Sequence, residues 1–521
     1  MFELKPSLFV EELERRGIQL WLDGDMIRYR APPGKLTDEL KTAISARRSE
    51  IVELLRLSSV DTGGERISGA EAVWLPTYLQ ASFAARDSQL PHIRSIASLS
   101  RELSIRDFQA AVDELVRRHS ILRTNFITDR KGQIWAITRK EKSIPVQVID
   151  LREKDIVAQE IEGRDVVRTM VARRFNLETE PLLRIAIVRM AQAQSVVAIV
   201  AHHAIFDAMS IGILTAELAG FYDTILTGEK ISMAPLPMQF SEFAKWQREW
   251  LQSEEAQVHL KYWRGKFAGL DAPFWLPTGR STPSKLTADL PLVRGTVSDA
   301  TTTLLRELCR REQTTIFVAL ATAIGVALAR WRGRDESCVW VVHSGRFRSE
   351  HFQMIGCFGG MWPLFTNLPG DLSFLAAFRL VSRAYLESLP HMQVPAKMLI
   401  QDVVGGKNRK IESFHIVMFN YVGDLVGPQK ATFGVNETET ADRLDWVEQD
   451  GPLQADSVYA VNIAAYEAQD VISWTIRYNP ELFEDSAIEG VSNNVAEVLA
   501  AIAAHPDASI ESVNCAASSL A

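Results

Sequence analysis

The rhythm of apolar and polar residues changes along this chain and marks out its elements. Near the N-terminus, Leu8, Phe9, Val10 and Leu13 make the apolar side of a short helix predicted over residues 6–16, and Gly17 stands where a helix stops. Residues 18–30 then alternate on both sides of Asp23-Gly24, the strongest short-range sign of a hairpin. Ala31-Pro32-Pro33-Gly34 breaks the second strand. Thr37, followed by Asp38 and Glu39, can cap a helix running to about Leu55. Such a helix–hairpin–helix unit is marginal alone and leaves a hairpin edge exposed. Residues 57–66 read as a linker by composition. From Ser68 onward strands and helices alternate, with a second break at 227–237, where Gly228, Pro235 and Pro237 cluster. The longest apolar run, 314–329, is too short for a comfortable membrane span and reads as a buried helix. The division this predicts is a small unit at 1–58, a linker at 59–67, and two α/β lobes at 68–235 and 236–515.

Composition narrows the classes. Of 521 residues, 47% are hydrophobic and 23% charged, which excludes wholesale disorder and supplies more than one core. Acids exceed bases by 65 to 57, a net charge of −8, which disfavours nucleic acid or an anionic membrane as the main partner. Cys309, Cys338, Cys357 and Cys515 are scattered without a CxxC, so no zinc site or disulfide framework is expected. The first residues carry charges throughout and no apolar signal core, and a cytoplasmic, monomeric protein is the default expectation. One stretch departs from the balance. Arg28, Arg30, Lys35, Lys41, Arg47 and Arg48 stand against Asp38 and Glu39 alone. A basic face beside a free strand edge suits capture of an acidic peptide by strand addition; the simpler alternative is a solvated face.

The richest segment is 195–217. Six apolar residues, 196–201, make a buried strand, His202 and His203 close it, and Asp207 stands at the N-cap of a helix beginning near Ala208. Neighbours in an extended segment point to opposite faces, so the two imidazoles should not share a job. Taken by themselves these residues allow structural histidines, a helix cap or catalysis. A metal pair is disfavoured, because adjacent strand residues do not easily hold one ion. There is no GxSxG elbow, no GxxxxGK[ST] loop and no GxGxxG after a strand. A histidine base without a partner nucleophile fits direct transfer of an already activated acyl group to an amine or hydroxyl.

His202-His203-Ala-Ile-Phe-Asp207-Ala208 resembles the HHxxxDG motif of the condensation domains of nonribosomal peptide synthetases, relatives of chloramphenicol acetyltransferase. Further stretches are similar in the family's order: Arg118-His119-Ser-Ile-Leu122-Arg123-Thr124-Asn-Phe126, Phe240-Ser-Glu-Phe243-Ala244-Lys-Trp246, Tyr262-Trp263 with Leu276-Pro277-Thr278, Gly345-Arg346 with Ile355-Gly356-Cys-Phe358, His391-Met-Gln393-Val394-Pro395, and Phe419-Asn420-Tyr421. The likeness runs from about 66 to 510. Residues 1–58 separately resemble a β-hairpin docking domain, through Gly17, Leu20-Trp21-Leu22, Asp23-Gly24-Asp25 and Leu36-Thr37. Departures stand out. Ala208 replaces the usual glycine, Gly359-Gly360-Met361 replaces the usual Val-Asn-Thr and is expected to widen the channel, Ser68 to Trp74 lacks the usual arginine, and 407–411 is only a remnant of a further motif.

The resemblance implies a fold of two acetyltransferase-like lobes in a V with a tunnel between them. It implies that donor and acceptor arrive as thioesters on carrier-protein phosphopantetheine, with no tightly bound cofactor and no metal. Carried onto this chain, His203 is the catalytic position, with His202 as scaffold and Asp207 paired to Arg346. Gly360, Met361, Asn420 and Tyr421 become candidates for the acceptor side of the channel. Trp21, Arg28, Arg30, Lys35 and Lys41 become the docking face for the acidic C-terminal tail of an upstream acyl or peptidyl carrier protein. Nothing in the sequence reads as an adenylation or carrier domain, so a free-standing enzyme with a small-molecule acceptor and release of the chain as amide or ester is expected. Condensation between two carrier-bound groups, and a non-catalytic recruitment domain, are the alternatives.

Overall fold

The computed structural model describes Phe9, Glu12, Leu13 and residues 16–23, 26–32, 34–48, 51–52, 70–85, 92–99, 102–140, 142–191, 194–268, 276, 290–405, 416–422, 459–468 and 471–512. The linker expected at 59–67, residues 24 and 25 of the hairpin turn, Ser68, Pro277-Thr278, Cys515 and the 407–411 remnant lie outside the described residues.

The small N-terminal unit is built as its alternation requires. Strands β1 (Gln19–Asp23) and β2 (Met26–Arg30) pair antiparallel with Trp21 opposite Arg28 and Gln19 opposite Arg30. One face buries Leu20 against Ile27, Phe9, Leu13 and Ile18. Thr37 accepts a hydrogen bond from Leu40 N at 3.3 Å and starts helix α1 (Asp38–Ala46), which closes the same core with Leu40 and Ile44. The helix breaks at Arg47, which leaves helical geometry with its guanidinium 5.3 Å from the centre of the Phe9 ring. Arg48, Ile51 and Val52 are helical again, Ile51 N donates to Arg47 O at 2.9 Å, and the stretch 53–55 up to the expected end lies outside the described residues. Gly17 takes a φ of +79°, the left-handed end the sequence assigned to it.

The first lobe runs β3 (Ala70–Trp74), α2 (Tyr78–Ala85), β4 (Ile93–Leu99), α3 (Ile105–Arg118), β5 (Thr124–Thr128), β6 (Ile134–Arg139), β7 (Val146–Asp150), α4 (Ile156–Ala172), β8 (Leu183–Ala191), β9 (Gln194–Ala201) and α5 (Ala208–Thr227). Its strands form a four-stranded sheet, β4-β9-β8-β7, and a three-stranded one, β3-β6-β5. β9 is buried along its length because it lies between two neighbours in that sheet. Helix α3 presents Phe108, Ala111, Val112, Leu115 and Val116 to the core, the i, i+3, i+4 stripe of a surface helix.

After α6 (Phe240–Trp250) and α7 (Glu254–Phe267) the second lobe follows as β10 (Leu292–Thr296), α8 (Asp299–Arg311), α9 (Ile316–Arg332), β11 (Glu336–His343), β12 (Gly360–Asn367), α10 (Phe374–Ser388), α11 (Ala396–Gly405), β13 (Ile416–Val422), β14 (Tyr459–Ala468), β15 (Val471–Tyr478) and α12 (Asp485–Ala504). Its mixed six-stranded sheet has the order β10-β15-β14-β13-β11-β12. The apolar run of the sequence is α9, buried from Ile316 to Ala329 beneath this sheet. Helix α6 belongs to both lobes, with Phe240, Phe243 and Ala244 in the first core and Trp250 in the second.

Candidate functional site

Strand β9 delivers its C-terminal end to the meeting place of the lobes. The chain then turns through His202–Phe206 and enters α5, capped by Asp207, whose carboxylate accepts from Ser210 N at 2.8 Å. Ala208 is the first helical residue, is exposed, and is not among the described non-glycine residues with positive φ. The missing glycine therefore costs no backbone strain there.

The two histidines face different surroundings. His202 is 1% exposed, accepts from Ala204 N at 3.1 Å and packs near the rings of Phe175 and His92. Burial lowers its pKa to about 3, so it is a neutral core residue. His203 is half-buried and stacks on Phe83 of α2 with ring centres 4.4 Å apart. Its Nδ1 lies 2.8 Å from the carbonyl oxygen of Phe206. A carbonyl only accepts, so Nδ1 carries the proton and Nε2 presents a lone pair. Burial lowers the pKa of His203 and favours this neutral form.

The turn that carries His203 is clamped from both lobes. Helix α2 contributes Gln80, fully buried, whose amide donates to Ala204 O at 2.8 Å. The second lobe contributes Arg346, whose Nη1 reaches Asp207 Oδ2 at 2.5 Å and whose Nη2 reaches Asp207 Oδ1 at 3.2 Å. Phe358 N also donates to Asp207 Oδ2, at 3.1 Å. Ser210 Oγ lies 2.8 Å from Asp207 Oδ1 and accepts from Gly356 N at 3.0 Å. The Arg346 guanidinium donates further to Met354 O and lies 4.3 Å from the Phe358 ring centre. Both members of the pair are buried, and such a forked, fully partnered pair holds its geometry tightly. The first lobe returns the contact through His119, whose ring bridges Glu217 of α5, at 2.7 Å, and Ile355 N. Burial opposes the charge on Glu217, but His119 and Arg118 outweigh it and hold its carboxyl below the usual range.

Two glycines allow the close packing at this junction. A side chain at Gly356 would put Cβ 2.0 Å from the Phe240 ring, and one at Gly345, already at φ +69°, would meet Phe358 O at 1.9 Å. Burial pushes the nearby Cys357 thiol well above its ordinary pKa, so it is not a nucleophile in waiting.

The other sequence candidates lie on the second lobe's sheet, in the turn after α3 and on the small N-terminal unit. Gly360 does not widen the channel: the imidazole of His343, opposite it in the β11–β12 register, occupies the space its side chain would take. Met361 is buried in the second core. Tyr421 donates to Glu467 at 2.5 Å and packs against Phe317 of α9, while Asn420 alternates to the other side of β13. Arg123 fixes the turn after α3 by bonding Val116 O and Glu71. On the small unit, Trp21 (46% exposed), Met26, Arg28 and Arg30 share the outer face of the hairpin. Lys35 is exposed, and Lys41 is paired with Asp38 at 2.8 Å.

The residues missed in the sequence are Gln80, Phe83, Ser210, Glu217 and His343. Thr77-x-x-Gln80 and Asp207-x-x-Ser210 carry helix-start signatures, and Glu217 is a lone acid in an apolar helix. Those signals locate the residues without naming their partners.

Comparison with known proteins gives the same outline. Residues 82–519 match the condensation domain family, and residues 7–56 match the TubC N-terminal docking domain family. The chain is 29% identical over 427 residues to a linear gramicidin synthase polypeptide of Brevibacillus parabrevis, covering 82% of this chain but only 5% of that protein. Among solved structures, it resembles the X-domain from teicoplanin biosynthesis (TM-score 0.69, 19% identity, 84% of this chain and 97% of that one). It also resembles the EpoB cyclization-docking bidomain of Sorangium cellulosum (TM-score 0.65, 17% identity, 96% and 99%). This chain therefore belongs to the condensation domain family of nonribosomal peptide synthetases and carries a TubC-type docking domain at its N-terminal end.

Proposed function

We propose that this protein transfers an acyl chain from a carrier-protein phosphopantetheine thioester to a soluble amine or alcohol, releasing the chain as an amide or ester. The observation that carries the reading is the state of His203: neutral, Nδ1–H committed to Phe206 O, and Nε2 left with its lone pair in a clamped turn between two lobes. The substrate thioester is already activated, so the enzyme need supply only placement and a proton acceptor. The nucleophile's nitrogen or oxygen attacks the thioester carbon while His203 Nε2 takes its proton. The tetrahedral intermediate collapses, the C–S bond breaks, and the phosphopantetheine thiolate leaves and recovers that proton. The Phe206 carbonyl steadies the imidazolium formed in between. Asp207 points its carboxylate at Arg346 and away from this proton, so it positions the turn.

The docking unit supports a partner on another polypeptide. Its outer hairpin face joins Trp21 with Arg28 and Arg30 beside a strand edge that no described residue pairs, a fit for an acidic tail added as a third strand. The test is a transfer assay. A carrier loaded with a short acyl thioester is mixed with the protein and a panel of amines, alcohols and aminoacyl-carriers, and acyl loss is followed by intact-protein mass spectrometry. Loss that needs both His203 and a soluble nucleophile supports the reading. Loss only to aminoacyl-carriers replaces it with condensation between two carrier-bound groups. Inertness with every acceptor replaces it with a recruitment role.

A further inference from the structure

At the end of β11 the second lobe holds a histidine that the mechanism above does not use. His343 is half-buried and stands opposite Gly360 of β12. Gly345 N donates to its Nδ1 at 3.0 Å, so in the neutral ring the proton sits on Nε2. Nε2 has no hydrogen-bond partner among the described residues and lies over the bare face of Gly360, where a Cβ would come within 2.6 Å of it. The ring is walled on another side by Phe347, 5.1 Å away centre to centre. Its turn is stiff: Gly345 is wedged against Phe358 O, and Arg346, the next residue, is locked to Asp207. Phe358, two residues before Gly360, donates to the same carboxylate. His343 is thus built into the second lobe's half of the clamp that holds the His203 turn. Burial alone lowers its pKa to about 4, which keeps the ring an N–H donor and not a cation at neutral pH.

We propose that His343 positions the acceptor, donating from Nε2–H to an oxygen atom of the molecule that carries the nucleophile. The inference rests on the soluble-acceptor reading above. A donor chain is held by its carrier; an untethered acceptor needs anchors of its own, and a rigidly mounted donor with no partner among the described residues, three residues from the arginine that clamps the His203 turn, can supply one. Gly360 is part of the device, since any side chain there would evict the ring.

The test measures kcat and KM for acceptor and for loaded carrier in wild type, His343→Ala, His343→Gln and Gly360→Ala, with thermal melts to verify folding. Loss of one neutral hydrogen bond should raise acceptor KM about tenfold in His343→Ala and Gly360→Ala. Carrier KM stays unchanged, and His343→Gln, whose amide N–H falls near Nε2, recovers most of the loss. Acceptor KM within twofold of wild type in folded His343→Ala, or a rise in carrier KM instead, overturns the inference. Failure of the underlying reading shows in the wild type: turnover of carrier-bound acceptors alone removes the soluble acceptor, and the same variants are then read on the acceptor carrier, where an unchanged KM overturns the role of His343 too. Complete inertness of the wild type overturns both.

Discussion

At the scale of single residues, two adjacent imidazoles have opposite uses, and pH separates them. In the proposed mechanism His203 acts with Nε2 unprotonated, and its lowered pKa keeps that form dominant below the ordinary imidazole value. We expect kcat to stay level from pH 8 to 6.5 and to fall only at more acid pH, following one proton; a decline centred at or above 6.5 would contradict a buried neutral base. His202 acts on stability instead. Unfolded, it binds a proton near pH 6.5; folded, only near 3. The unfolded state therefore gains protons first as pH falls, and folding loses about 1.4 kcal/mol per pH unit below 6.5 from this residue alone. In His202→Gln the acid-side slope of unfolding free energy, measured by denaturant titration, should be shallower by about that amount. The strand-end pattern made the two histidines legible, because alternation separates neighbours by local geometry. His343 was not legible in the same way. The bare Gly360 pointed to open space, and only packing shows that a ring from the facing strand fills it.

At the scale of elements, helix α5 and the 344–358 loop form one clasp. Asp207 serves twice, as N-cap of α5 and as partner of Arg346, and Ser210 joins the same helix to Gly356. Removing one side of a buried pair leaves the other uncompensated, so Asp207→Ala should cost about 3–5 kcal/mol of stability and lower activity with it. Asp207→Asn keeps the cap oxygen but not the charge, and should fall between Ala and wild type in a thermal melt. An Asp207→Ala protein as stable and active as wild type would show that the clasp is ornamental. Gly345→Ala should be worse than its small volume suggests, because φ of +69° alone costs about 1–2 kcal/mol before the collision with Phe358 O is counted. The elements themselves were largely readable. The hairpin, β9 and α9 are set by periodicity within a dozen or so residues, which a linear pattern carries. Their partners were not. Gln80 meets Ala204 across 124 residues and Ser210 meets Gly356 across 146, and only chain topology brings such pairs together. The Asp207–Arg346 contact was foreseen through family likeness, which is long-range information that periodicity lacks.

At the scale of the whole molecule, an acidic chain with a net charge of −8 turns a basic and aromatic face outward on the hairpin. That contrast underlies the docking role proposed above. On the proposed reading, a carrier tail held weakly on Arg28 and Arg30 would keep its acyl-loaded domain near the lobes and make the second contact intramolecular. The strength needed from either contact alone is then small, which suits a carrier that must leave after each transfer. Charge reversal by Arg28→Glu with Arg30→Glu leaves the buried face of the hairpin, Leu20 and Ile27, untouched, so the unit should still fold. At carrier concentrations well below saturation the initial rate should drop, on the order of a hundredfold if the tail supplies most of the effective concentration. The drop should shrink as carrier is raised, and added salt should weaken the wild type toward the variant, because exposed ion pairs are screened. With a small acyl-pantetheine thioester, which has no tail to dock, wild type and variant should be equally fast. A rate loss on the small thioester would place the damage in the lobes, and an undiminished rate on the tailed carrier would remove these two arginines from the docking face.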